Sequence, residues 1–187
     1  MTDLTLEERE GLPDALRVLV EALPRGTWEA HPNFSPLTRF WLDRHLMFRD
    51  VLGQLTQGSR DFLDGNVAPD RYGHETARMA QFFLQQLHSH HDIEDHHYFP
   101  VLEGLDDRLG RGFALLDADH KALDGHIDAL AKGTNAMLKG LSGPDPRKGA
   151  GDLERQLGAF DLFLDRHLTD EEDLVVPVIL TYAPEIH

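Results

Sequence analysis

The chain contains no cysteine in its 187 residues, which excludes disulfides, thiolate metal ligands, iron–sulfur clusters and cysteine nucleophiles. Any metal it binds must be held by nitrogen and oxygen. Basic residues are scarce: 18 Lys and Arg stand against 33 Asp and Glu, a formal charge of −15. A polyanion would be repelled at most approaches, so nucleic acid is not an expected partner. No apolar run reaches the roughly 18 residues of a membrane span. The opening stretch from Met1 to Glu10 is acidic, where a secretory signal would be basic and then apolar. We therefore expect no membrane partner and a cytoplasmic location. Strand patterning is missing as well, with no sustained alternation of β-branched or aromatic residues between hairpin turns. The fold class this leaves is all-α.

Histidine, in contrast, is plentiful. Of twelve in the chain, His88, His90, His91, His96 and His97 crowd into ten positions. The stretch is internal and adjoins an aromatic residue and a proline, so it calls for a structural placement. Gly- and Pro-containing breaks at 65–69, 105–112 and 141–151 separate four segments of helical period. The first opens at Ser35-Pro36, an N-cap followed by proline at the first helical position, and runs to about Asp64. Leu37, Trp41, Phe48, Leu52 and Leu55 form its apolar stripe, with His45 inside it.

The second segment, about 70–97, carries Met79, Phe83 and Leu87 on a line that continues to His90 and Glu94. The third, about 111–139, aligns Phe113, Leu116, Leu123, Ile127 and Leu130 around His120. The fourth, about 151–176, aligns Leu153, Leu157, Phe160, Leu164, His167, Glu171 and Leu174. Each helix thus turns a histidine inward. Segments of this length span about 40 Å, and their short connections require antiparallel neighbours. We expect an up-down-up-down antiparallel four-helix bundle over 35–183. Residues 1–34 read as an N-terminal extension with short helices, from the Thr5/Glu8 capping box and the Leu12, Leu16, Leu19, Leu23 stripe. His31, in the proline-containing connector that follows, reads as structural or exposed.

An internal repeat carries the chemistry. His90, Glu94 and Pro100 recur 77 positions later as His167, Glu171 and Pro177, and His45 recurs 75 positions later as His120. Each half contributes one lone histidine and one His-x-x-x-Glu, whose two side chains share a helix face. Four histidines and two carboxylates in an apolar core would be costly without a partner, and cations remove that cost. With two metals, symmetry gives two imidazoles to each and both carboxylates as bridges. Imidazole and carboxylate donors suit iron, and also manganese or zinc.

The doubled pattern, His-x-x-x-Glu followed six residues on by Pro with a lone His on the preceding helix, resembles the hemerythrin-like HHE family over about residues 35–180. The resemblance implies a pair of iron ions with an oxo or hydroxo bridge. It makes His45, His90, His120 and His167 the imidazole ligands, with Glu94 and Glu171 as the bridging carboxylates. The four-histidine set departs from oxygen-carrying hemerythrins, which use five histidines and leave one iron open, and so it points away from simple oxygen transport.

Other residues compete for these roles. His91 with Asp95 forms a second His-x-x-x-Asp register, but it lies 100° off the apolar line and breaks the repeat, so it is set aside. His126 reads as a surface or outer position. His97, seven after His90, reads as a core histidine, while His74, His88 and His96 read as solvated or outer. Asp124, Glu172 and Asp173 are possible acceptors for ligand imidazoles, the last two otherwise forming a solvated face. Pro100 and Pro177 should kink or end their helices.

The function implied by the family is binding or sensing of O2 or nitric oxide, with a protein partner unspecified and a homodimer possible. The alternative is an enzyme: a ferroxidase, a peroxide or nitric-oxide reductase, or an iron donor for iron–sulfur repair. Repair relatives typically carry a cysteine-containing N-terminal domain, which this chain lacks. A ferritin-like site would need Glu-x-x-His with four Glu and two His, the reverse of the balance here. A closed structural zinc site needs only four ligands.

Overall fold

Ser35 starts the first long helix as the sequence predicts: its Oγ accepts the backbone N–H of Thr38 at 3.1 Å, and Pro36 occupies the first turn. In the computed structural model, which describes residues 5–185, four long helices follow: α2 (Pro36–Leu63), α3 (Pro69–Ile93), α5 (Gly110–Gly140) and α6 (Pro146–Tyr182). A short α1 (Val18–Ala22) precedes them, and a short α4 (Phe99–Glu103) follows α3. There is no strand among the described residues. α2 ends where Gly65 takes a left-handed φ of 81°. The N–H groups of Gly65 and Asn66 then close back on the carbonyls of Phe62 and Asp61, a cap that glycine adopts at least cost.

The chain forms two compact units. Of the described residues, one comprises 5–46, 90–122 and 165–185, the other 47–89 and 123–164. The first takes the start of α2, the end of α3, the start of α5 and the end of α6; the second takes the opposite ends. This alternation of starts and ends is that of an up-down-up-down bundle.

In the second unit, the buried Phe83 meets Phe48 and Phe160 edge-on, with ring centroids 6.1 and 5.8 Å apart. Phe62 stacks on Tyr72, whose hydroxyl lies 2.9 Å from Ser59 Oγ, so the one polar atom of that ring is satisfied. Phe83→Ala is expected to cost about 3–5 kcal/mol, read by denaturant unfolding, because its site is closed on all sides.

In the first unit, Leu12, Leu16, Leu19 and Trp28 of the N-terminal segment join Phe99, Leu102, Phe113, Leu116 and Leu174 in one apolar cluster. Leu12 precedes a short 3-10 turn (Asp14–Leu16) and α1, where the stripe predicts small helices. Thr5 Oγ1 donates to the Glu8 carboxylate at 3.2 Å around a turn, a contact between side chains rather than the reciprocal side-chain-to-backbone bonds of a capping box.

The two prolines behave differently from each other. Before Pro100 the helix widens: Glu94–Tyr98 is a π-helical turn in which the Phe99 N–H reaches the carbonyl of Glu94. A proline ring crowds the carbonyl four residues back and donates no N–H, and one wider turn accommodates both defects. Pro177 instead sits inside α6, which continues to Tyr182, beyond the expected end near 176. Residues 178–180 stay helical because Val178 and Leu180 are buried in the same core cluster.

Candidate metal centre

All six side chains singled out by the repeat are buried in the first unit. His45 comes from α2, His90 from the last turn of α3, Glu94 from the π turn, His120 from α5, and His167 and Glu171 from α6. Together with His91, their donor atoms fall into two sets. His45, His90, Glu94 and Glu171 can bring one ligand atom each within 4.8 Å of one another, and so can His91, His120 and His167.

The carboxylates face both sets. Glu94 Oε1 lies 3.1 Å from His90 Nε2, and Oε2 lies 3.8 Å from His120 Nε2. Glu171 Oε2 lies 3.7 Å from His45 Nε2 and 3.4 Å from His167 Nε2. Glu94 thus turns one oxygen to each set, whereas Glu171 turns the same oxygen, Oε2, to both. His45 Nε2 and His90 Nε2 are 2.9 Å apart. Two nitrogens on one cation at about 2.0–2.1 Å each would be separated by a similar distance.

His91 is the residue that sequence reasoning set aside. It is 5% exposed, stacks on His120 with centroids 4.1 Å apart, and meets His167 edge-on at 5.4 Å. The inward arc of a helix at the centre of a bundle is more than 100° wide, so neighbouring residues can both lie within it. His90 and Glu94 are directed to His45, whereas the His91/Asp95 register is directed to His120. The signals for this in the sequence are the histidine doublet and the four-residue spacing of His91 and Asp95.

Three of the candidate imidazoles are oriented by carboxylates. His45 Nδ1–H donates to Glu172 at 3.0 Å, His120 Nδ1–H to Asp95 at 2.8 Å, and His167 Nδ1–H to Asp119 at 3.4 Å. A carboxylate only accepts, so each contact fixes the tautomer and leaves an Nε2 lone pair for the centre. The repeat extends to this layer, because Asp95 and Glu172 are also 77 positions apart. Each serves the lone histidine of the other half. Asp119 was missed, and Asp124, which had been considered for that role, is exposed. His97 is exposed as well, not a core residue. His126 lies against Phe163 in the second unit, with centroids 4.5 Å apart.

The residues fit a cation. His91 Nδ1 and Nε2, Glu94 Oε2, His120 Nε2, His167 Nε2 and both Glu171 oxygens are buried without a hydrogen-bond partner. So many orphaned donors and acceptors converging in one place are costly unless metal takes their lone pairs. The electrostatics agree. Burial, with Glu171 beside it, pushes the Glu94 carboxyl well above its usual range, and burial with nearby Glu172, Asp119 and Asp95 pushes Glu171 up to about 8. Burial and neighbouring histidines push His90 and His91 well below the usual imidazole value, leaving both neutral and ready to ligate. Trp41 donates its Nε1–H to Glu94 Oε1 at 2.6 Å and holds that carboxylate in line.

A helical bundle with buried histidines and two inward carboxylates defines a class of cation-binding protein. The family model of the hemerythrin HHE cation binding domain matches residues 37–179, and the chain belongs to that family. No curated protein and no solved structure matches it significantly.

Proposed function

We propose that the chain holds two iron ions and uses them to bind or sense a small uncharged diatomic, O2 or nitric oxide. His91, His120 and His167 would hold one ion, His45 and His90 the other, and Glu94 and Glu171 both. The observation that carries this reading is the inequality of the two sets. Three imidazoles with two shared carboxylates leave less room for a further ligand than two imidazoles with the same carboxylates. His91 thus restores the five-imidazole count of oxygen carriers, and with it the objection from a symmetric four-histidine set falls away.

When bound, iron would supply the electrons and the open position that a diatomic requires. The rest is the work of the protein. The side of the pair set is mainly apolar: Trp41, whose ring lies tilted against His45 with centroids 4.2 Å apart, also lines a small cavity of about 20 Å³ with Leu37, Thr38, Tyr98, Leu102, Val175 and Ile179. That volume accepts a molecule about the size of water and disfavours charged or extended substrates.

Ferrous iron added anaerobically to the metal-free chain, followed by nitric oxide, is the test. We expect iron uptake and new visible absorption saturating at one nitric oxide per centre. Iron uptake with no spectral response to nitric oxide or O2 would leave a cation-binding domain without this function.

A further inference from the structure

Two arginines of the N-terminal segment, which precedes the matched domain, end on the carboxylates that orient the histidines. Arg9 is buried. Its Nη1 donates to Asp119 Oδ1 at 2.7 Å, its Nη2 to Asp119 Oδ2 and its Nε to Asp170 at 2.7 Å. Asp119 in turn accepts from His167. Arg25 donates through Nη1 to Glu172, through Nε to Asp173 at 2.8 Å and through Nη2 to the Thr169 carbonyl at 2.9 Å. The other oxygen of Glu172 accepts from His45. One relay therefore runs to each histidine set, and both begin in the same segment. Buried Leu6, Leu12, Leu16, Leu19 and Trp28 anchor it.

A carboxylate that accepts an imidazole N–H raises the basicity of the ring's other nitrogen. A guanidinium on the same carboxylate draws charge away and fixes its plane. We propose that the N-terminal segment is a positioning strap: Arg9 and Arg25 set how strongly His167 and His45 donate to the metal without touching it. The inference rests on the metal-centre reading above. It makes displacement of the strap, by a partner or by any change that frees it, a way to alter the centre from outside.

Arg9→Ala leaves the buried Asp119 without a guanidinium and Asp170 with Arg166 alone, and can fail to fold, so Arg25, whose side chain is 42% exposed, carries the test. In the metal-free full-length chain, Arg25→Ala should shift the Nδ1–H resonance of His45 in ¹⁵N-histidine NMR and leave that of His167 in place. In the iron-loaded chain, the same variant should keep its iron and show a lower midpoint potential by spectroelectrochemical titration. Loss of a nearby positive charge and a stronger imidazole donor both favour the oxidised state. Arg25→Lys should recover part of both shifts. A full iron complement with unchanged potential and unchanged His45 resonance would overturn the strap and leave the metal centre standing. Failure of the unaltered chain to take up iron would overturn the centre and the strap with it.

Discussion

Alanine at both His90 and His167 is expected to leave one metal ion per chain rather than none, and the further change His91→Ala to remove that ion. The double variant leaves His45 as the only imidazole of its set. The other set loses His167 but keeps His91 and His120, whose rings stack 4.1 Å apart, together with the shared carboxylates. Two imidazoles and two carboxylates are still a sufficient donor set for a first-row divalent ion. Metal analysis of the three proteins after reconstitution, with helicity checked by circular dichroism, decides the matter. No metal in the double variant would remove His91 from the ligand set. An undiminished content would mean that the metal lies elsewhere.

The second large effect is on stability. Glu171 titrates near 8 in the metal-free fold, against about 4.3 for a free glutamate. The folded chain therefore holds a proton that the unfolded chain has already lost, and stability falls as pH rises through this interval. His90 and His91 act oppositely, but only below the ordinary imidazole value near 6.5, because above it they are neutral in both states. Between about pH 6.5 and 8 the two raised carboxyls give the expected slope its sign. The loss from Glu171 is about 2 kcal/mol, or about 4–8 °C in Tm, with Glu94 acting in the same direction. Metal binding ionises both carboxyls, so uptake should release protons and the slope should vanish. Thermal unfolding at the two pH values, with and without ferrous iron, reads both. A metal-free Tm that is flat or rises over this window would refute the carboxyl assignment.

Sequence alone placed the six repeat-matched side chains in one buried region, because a stripe of helical period marks the inward line and the 77-residue offset marks it twice. It failed where a line is too narrow a description. His91 lies within the inward arc but off the line, and its repeat partner is Leu168, which is buried and apolar, so symmetry argued against it. Asp119 and Arg9 were illegible for another reason. They are 110 positions apart, and no local pattern announces a pair that only tertiary packing creates. Glu172 was read as a solvated face with an alternative role, and that alternative is what the fold uses. The extent of α6 was underestimated because Pro177 weighs against helix locally, whereas the buried Val178 and Leu180 decide it globally.

The unequal treatment of the two prolines has a mechanical corollary. Glu171 is mounted on an unbroken helix of 37 residues, a stiff rail. Glu94 opens a turn already one residue too wide, where hydrogen bonds can be exchanged between neighbouring carbonyls without unwinding the helix. Any travel needed to suit a larger or smaller ion, or to make way for an incoming ligand, would therefore fall to the Glu94 side, and Trp41, tethered to that carboxylate, would move with it.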